Sequence, residues 1–287
     1  MCGRSSPATR SEWLLTLPSF GWLVLFFAIP TGLILLTMLR NADPSGGTSE
    51  GWTLEHIRSL ADASLLPLAW RTFWLSGVTT LFCLLLGFPA AWFIARAPAQ
   101  WKNTLLLLVM IPFWTSFLLR VFAWKVLLHP EAMLAQALRG MGIIGEDTSL
   151  LYHEGSVLLV MLHVHLPFAI LPLYAAMEKF DWALLEAARD LGAARWRCIT
   201  QVFLPGIRQG VFSAAILVFV CALGSYVIPD MVGGTDTEML GNRIVERTLS
   251  QRNLPGASAL SFLLMAVALL PLSLTALALR RYKPVIS

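Results

Sequence analysis

The chain reads Glu186-Ala187-Ala188-Arg189-Asp190-Leu191-Gly192 and, after nine intervening residues, Val202-Phe203-Leu204-Pro205. Both stretches lie in segment 178–208, whose Ala, Leu, Glu and Arg content favours helix over loop. Asp181 is a suitable N-cap, and Gly192 interrupts the pattern because a glycine inside a helix costs about 1 kcal/mol relative to alanine. We therefore predict a short helix, a break at Gly192, and a second short helix that runs toward Pro205.

The first of these helices separates charged from apolar side chains. Glu186, Arg189 and Asp190 share one face at helical spacing. Glu186 and Asp190 are like charges four residues apart, which destabilises an isolated helix by roughly a few tenths of a kcal/mol. The charged face therefore either meets solvent, as in an ordinary amphipathic connector, or binds another protein.

The composition of the whole chain is that of a membrane protein. Its 287 residues are 57% hydrophobic and only 13% charged, and the mean hydropathy is +0.70. Since soluble domains carry about twice this charged fraction, a disordered chain, a coiled coil and a nucleic-acid-binding domain are all disfavoured, despite an isoelectric point near 9.1. The positive charge is better explained by loops that orient membrane spans.

Six segments are apolar over about 20 residues, the length of a helix that crosses a bilayer. They are residues 18–39, 72–95, 104–128, 155–177, 209–229 and 257–279. The first exceeds the apolar core of a signal peptide and lacks a small-residue cleavage site after it, so we expect it to be retained. The sequence thus predicts a single all-α domain over residues 1–287, with six transmembrane helices and a helix-turn-helix outside the membrane.

Basic residues orient the predicted spans. Arg96 and Lys102 bound a short connection, and Arg280-Arg281-Tyr282-Lys283 follows the sixth span. Because Lys and Arg accumulate on the cytoplasmic side, we expect both termini and segment 178–208 to be cytoplasmic. Three longer loops would then lie outside, where they are long enough to dock a protein: residues 40–71, 129–154 and 230–256.

The pattern Glu186-Ala187-Ala188-x3-Gly192-x9-Val202-x-Leu204-Pro205 resembles the cytoplasmic EAA signature in permease subunits of type I, binding-protein-dependent ABC importers. The single departure is Val202, where the signature has isoleucine. The resemblance implies that segment 178–208 is a coupling helix pair that binds a separate ATPase subunit. It implies that Glu186, Ala187, Ala188, Gly192, Leu204 and Pro205 contribute to coupling, and we add Arg189 and Asp190 on charge alone.

The same resemblance implies the other components of a complex in the bacterial inner membrane. The chain contains no Gly-x4-Gly-Lys-Ser/Thr loop to hold ATP phosphates. ATP and Mg²⁺ would therefore belong to an ATPase dimer, and this chain would be a non-catalytic subunit without a cofactor or metal. A second permease subunit, forming a heterodimer, and a periplasmic substrate-binding protein would complete the importer. Nucleic acid is not an expected partner.

Two further stretches, residues 111–124 and 224–234, are similar to spermidine/putrescine-type permeases. This resemblance implies a polyamine substrate. The candidate residues on its path are Trp114, Thr115, Ser116, Tyr226 and Asp230. Trp114 and Tyr226 offer aromatic faces to a cation, although packing or an interfacial aromatic belt also accounts for them. Permeases for ferric iron, opines and other small solutes share these stretches, so such solutes are alternative substrates.

Ionisable residues inside the spans are few, and none is Asp or Glu. An ion-coupled secondary transporter and an intramembrane enzyme, the two other classes considered, would both need such groups. A polyamine path would need carboxylates from a partner permease. We expect Arg120 and Lys125 to extend toward the headgroups. His163 and His165 do not share a helix face, so we expect buried or pore-facing histidines there and no metal site.

Overall fold

The computed structural model describes residues 10–43, 45–62, 64–145 and 148–281. The first seven helices are α1 Arg10–Thr37, α2 Glu55–Arg58, α3 Leu65–Arg96, α4 Ala99–Met110, α5 Phe117–Leu127, α6 Met133–Gly140 and α7 Glu154–Glu178. They are followed by α8 Ala183–Asp190, α9 Arg195–Arg197, α10 Leu204–Leu223, α11 Val227–Val232, α12 Leu240–Val245 and α13 Leu254–Arg281. Two short strands, β1 Arg40–Ala42 and β2 Thr48–Trp52, lie between α1 and α2. The predicted all-α fold is confirmed, with one small hairpin added.

Four helical stretches are long and apolar enough to cross a bilayer: Thr16–Thr37, Leu65–Arg96, Glu154–Glu178 and Arg195–Leu223. They overlap the first, second, fourth and fifth predicted spans. The bent pair of α4 and α5 is a fifth candidate, and α13 overlaps the sixth predicted span. The prediction of cytoplasmic termini concerns residues 1–9 and 282–287, which lie outside the described residues.

The third predicted span, residues 104–128, is broken near its middle. The chain bends by 84° between Ala99–Trp114 and Phe117–Leu127. Thr115 and Ser116 are extended, with ψ of 151° and 137°, and the Thr115 hydroxyl donates to the Pro112 carbonyl at 2.7 Å. Proline lacks an N–H, and Thr and Ser bond to local backbone in non-helical conformations, so this sequence favours a break. The prediction of one continuous helix was wrong.

The fifth predicted span, residues 209–229, differs at both ends. Its helix ends at Leu223, and residues 224–226 are non-helical before α11 begins at Val227. At the other end α9, a π-helical turn at Cys198–Phe203 and α10 form one 29-residue helix, Arg195–Leu223. The second coupling helix therefore does not end near Pro205 but continues into the span. The wide π turn directly before Pro205 accommodates a residue that cannot donate a backbone hydrogen bond.

The described residues form two compact units. One extends from α1 to Asp62 and includes Ile244–Leu263, and the other consists of the remaining residues. In the first unit β1 and β2 pair antiparallel and are joined through Gly46 and Gly47, with φ of +108° and +98°. The Ser45 hydroxyl and backbone N–H donate to Asp43 at 2.6 and 2.8 Å, and these bonds lower the pKa of the Asp43 carboxyl.

In the second unit, α3, α7 and α10 pack against one another in pairs. They contribute buried side chains to apolar clusters, among them one around Val160 and Met161 and one around Leu173 and Phe203. The Thr72 hydroxyl accepts a hydrogen bond from the Leu240 N–H at 2.8 Å and thereby fixes the start of α12 to α3. The three helices thus form the rigid part of this unit.

Glycines allow α7 and α10 to approach closely at one end. A Cβ added to Gly206 would lie 2.5 Å from the Phe180 ring, and one added to Gly210 would overlap the Ala176 side chain. The Gly206-x3-Gly210 spacing, a weak packing motif by itself, therefore does permit contact between two helices here.

We predict that Gly210→Ala lowers the stability of the purified protein by about 1–3 kcal/mol, because the added methyl group has no space. Gly77→Ala is the matched control, since Gly77 lies in α3 with no atom near its Cβ position. Melting temperature in detergent is the measurement. If Gly210→Ala melted no lower than Gly77→Ala, the close contact of α7 and α10 would be wrong.

Candidate functional site

The predicted coupling segment forms a short helix with defined ends. The Asp181 carboxylate accepts a hydrogen bond from the Ala183 N–H at 3.0 Å at the start of α8. At the other end Gly192 has φ of +82°, its N–H donates to the Arg189 carbonyl at 2.8 Å, and the Ala193 N–H donates to the Ala188 carbonyl at 3.0 Å. This pair of bonds is a Schellman motif, which requires the left-handed backbone that glycine adopts without strain.

The inner side of this segment is fixed to the spans by apolar and aromatic contacts. Leu185 is 5% exposed and packs in the cluster around Phe203. Trp182 stacks on Phe203 at a centroid distance of 5.4 Å and meets the edge of Trp92, in α3, at 5.2 Å. The Arg96 guanidinium lies 5.0 Å from the Trp182 ring centroid. Because these rings belong to α3 and to the helix that contains α10, the start of α8 is in contact with both.

The outer side of the segment is exposed and mixes apolar with charged side chains. We call it the α8 surface, and it consists of Leu184, Glu186, Ala187, Arg189, Asp190, Leu191 and Trp196. Leu184 is 51% exposed and Leu191 is 89% exposed, so both apolar side chains belong to this outer side. Within the described residues, the side chains of Glu186, Arg189 and Asp190 make no ion pair. The candidate residues Leu204 and Pro205 are exposed at the start of α10.

A cavity of about 330 Å³ lies where two helix breaks meet. Its walls come from the break before α5, from the middle of α7, and from the step between α10 and α11. The lining residues include Phe113, Phe117, Arg120, His165, Ser225 and Tyr226. Interrupted membrane helices commonly form solute sites, because they bring unpaired polar groups to the middle of a bundle.

Only one of the predicted pathway residues, Tyr226, lines this cavity. Trp114 is 77% exposed, and Thr115 and Ser116 are exposed at the bend that precedes α5. Asp230 lies in α11 with an exposed side chain. The helix break at residues 115–116 therefore lies beside the cavity, but the side chains of Thr115 and Ser116 do not line it.

Several cavity residues were not predicted from the sequence. Arg120 was expected to reach toward the headgroups, but its guanidinium turns inward, where Nε and Nη1 are buried, so that prediction was wrong. Phe113 and Ser225 lie within residues 111–124 and 224–234, but neither side chain was predicted to lie on the substrate path. The signal that could have identified them is the pair of helix-breaking stretches, Pro112-x2-Thr115-Ser116 and Gly224-Ser225, inside otherwise apolar spans.

The two neighbouring histidines have different surroundings. His165 is buried beside the cavity, and its Nδ1–H donates to the Met161 carbonyl at 2.7 Å. His163 packs against Trp124, with ring centroids 5.5 Å apart. In the part of the chain that the structure describes, no three His, Cys, Asp or Glu side chains come together as metal ligands.

Residues 10–282 match the family model for the binding-protein-dependent transport system inner membrane component. The chain is 36% identical over 242 residues to the spermidine/putrescine transport system permease protein PotB of Haemophilus influenzae, which covers 84% of this chain and 85% of that protein. It is 32% identical over 247 residues to the PotB protein of Escherichia coli K12, covering 86% and 90% respectively.

The fold is also that of a solved importer. A bacterial ABC transporter involved in import of the polysaccharide alginate superimposes with a TM-score of 0.74, at 19% identity, over 96% of this chain and 97% of that chain. Fold, EAA signature and relatives agree, and the expected family resemblance is confirmed. The chain belongs to the family of inner membrane components of binding-protein-dependent transport systems, as a multi-pass, non-catalytic permease subunit of an ABC importer.

Proposed function

We propose that this chain is one of two permease subunits of a polyamine importer and that a separate ATPase binds the α8 surface. The observation that carries the proposal is that α8 has one side packed against the spans and one side exposed. Its inner side chains, Leu185 with the preceding Trp182, are packed against the spans. The charged and apolar groups of the α8 surface have no partner within the described residues, so they suit a second protein.

The proposed coupling route runs through one continuous helix. Closure of the ATPase dimer would displace α8, and the contact of Trp182 with Phe203 would pass this displacement to Arg195–Leu223. The far end of that helix carries Cys221, which lines the cavity together with Gly224 directly after the helix. A rigid helix transmits such a displacement over its length without any bond chemistry. The cavity wall would then alternate between two positions.

The remaining components follow from the family. ATP and Mg²⁺ would be bound by the ATPase dimer, and both termini of this chain would lie in the cytoplasm with α8. The substrate-binding protein would dock on the opposite side, on residues 40–71, 129–154 and 230–256. The second permease subunit would differ in sequence from this one, as a heterodimer.

A polyamine is the proposed substrate because both PotB relatives are named for spermidine and putrescine. The aromatic walls of the cavity, including Phe117 and Tyr226, suit the methylene chains and ammonium groups of such a solute. An opine, which carries carboxylates, is the alternative that Arg120 would favour. Ferric iron would need several anionic oxygen ligands, and none of the residues that line the cavity is Asp or Glu.

We predict that Gly192→Val strongly reduces transport, whereas Gly192→Asn retains most of it. At φ of +82° a β-branched side chain costs about 1–2 kcal/mol more than glycine, and asparagine tolerates this backbone. No atom approaches the Gly192 Cβ position, so the two variants differ in strain and not in crowding. Uptake in vesicles with equal permease content is the measurement, and equal uptake by both variants would contradict a role for this turn.

We also predict that Leu191→Asp weakens retention of the ATPase by about tenfold or more, since it replaces a highly exposed apolar side chain of the α8 surface with a charge. The control is Leu249→Asp, because Leu249 is 73% exposed in a different unit. Co-purification of the ATPase with membrane-inserted permease measures the effect. Undiminished retention by Leu191→Asp would place the ATPase elsewhere.

For the substrate, we predict that putrescine or spermidine with the binding protein stimulates ATP hydrolysis by the reconstituted complex. Tyr226→Ala should raise the half-saturating polyamine concentration by about 2- to 30-fold, the range of one cation–π contact, and Tyr226→Phe should not. Stimulation by an opine, with no response to either polyamine, would contradict the polyamine as substrate but not the assignment of the complex as an importer.

A further inference from the structure

The cavity contains a cation whose hydrogen-bonding groups are unused. Nε and Nη1 of Arg120 are buried and have no hydrogen-bond partner, and the same holds for the hydroxyl of Ser225. The Arg120 guanidinium lies 5.0 Å from the Phe113 ring centroid, which holds it in position from one side. Arg120 and Ser225 both line the cavity. This wall therefore presents fixed, unsatisfied donors to whatever fills the space.

The cavity wall supplies no anion to balance Arg120. None of its lining residues is Asp or Glu, and the ion pairs within the described residues, Lys102 with Glu178 and Arg243 with Glu238, involve other groups. Leaving buried guanidinium nitrogens without a hydrogen-bond partner is unfavourable, and the penalty is larger in a membrane. We infer that a group from outside the described chain neutralises Arg120.

The surroundings of the cavity indicate where that group comes from. Leu118, Leu119 and Phe122 on α5 are exposed apolar side chains, as is Trp114 at the preceding bend. Such a surface meets either lipid tails or another protein. Lipid tails cannot accept a hydrogen bond from Arg120, and a polyamine would be repelled by it. A protein surface that carries a carboxylate meets both the apolar rim and the buried cation.

We propose that the cavity binds a carboxylate side chain of the second permease subunit, with Arg120 and Ser225 donating to it. The inference rests on the pairing of two permease subunits in the proposed function. A carboxylate is the best-matched anion for guanidinium donors. Neutralising Arg120 in this way also removes the repulsion that an unpaired guanidinium would exert on a polyamine beside Tyr226.

The test uses the complete importer, with both permeases and the ATPase co-expressed and placed in nanodiscs of neutral lipid. The variants are Arg120→Gln, Arg120→Lys and Lys125→Gln. Lys125 is the matched control, because it is a cation on the same helix that lines a separate groove. We expect Arg120→Gln to weaken association of the two permeases by roughly a hundredfold, Arg120→Lys to restore much of it, and Lys125→Gln to leave it unchanged.

Three outcomes would overturn the proposal. The first is unchanged association of Arg120→Gln with its partner. The second is stabilisation of the wild-type complex by a free carboxylate, tested with succinate and γ-aminobutyrate, that disappears in Arg120→Gln, because the site would then belong to a solute. The third is restoration of Arg120→Gln by anionic lipid. Wild-type stimulation by putrescine, measured in the same preparation, reports separately on the proposed substrate.

Discussion

The contact of Trp182 with Phe203 is the interaction on which the function of this chain depends. It joins the short helix α8, which lies outside the spans, to the helix Arg195–Leu223. Trp92 and Arg96 add α3 to the same contact. Leu185 packs in the same cluster, so α8 is attached to the spans at two side chains. In the proposed coupling route, a movement of α8 would pass through these contacts to the cavity at the other end of the long helix.

Helix breaks create the polar site, because a bundle of uninterrupted apolar helices would leave no polar groups between the helices. Thr115-Ser116 and Gly224-Ser225 interrupt two helices, and residues beside both breaks line one cavity. Irregular backbone at membrane depth is tolerated only where protein or a cavity satisfies it. Side-chain donors of Arg120 and Ser225 have no hydrogen-bond acceptor within the described residues. The cavity is therefore a site for a further component that can accept these hydrogen bonds.

The fold class, the family and the existence of α8 could be predicted because they follow from local pattern. Apolar runs identified the spans, and the Glu186 to Gly192 spacing identified both the helix and its stop. The break in the third span could not be predicted from hydropathy, which treats Thr115 and Ser116 as tolerable within an apolar run. The inward orientation of the Arg120 side chain depends on its contact with Phe113, which lies on the other side of the bend, and on α7, which is distant in sequence. Tertiary contacts decide such positions, and no local pattern encodes them.

The most direct test of this account measures solute transported per ATP hydrolysed by the reconstituted complex, with Trp182→Ala compared with Trp182→Phe. The alanine variant removes the ring that contacts Phe203 and Trp92, while the exposed groups of the α8 surface stay in place for the ATPase. The account predicts that Trp182→Ala still retains the ATPase and hydrolyses ATP, but transports less solute per ATP, and that Trp182→Phe restores most of the ratio. An unchanged ratio in Trp182→Ala would contradict transmission through this contact.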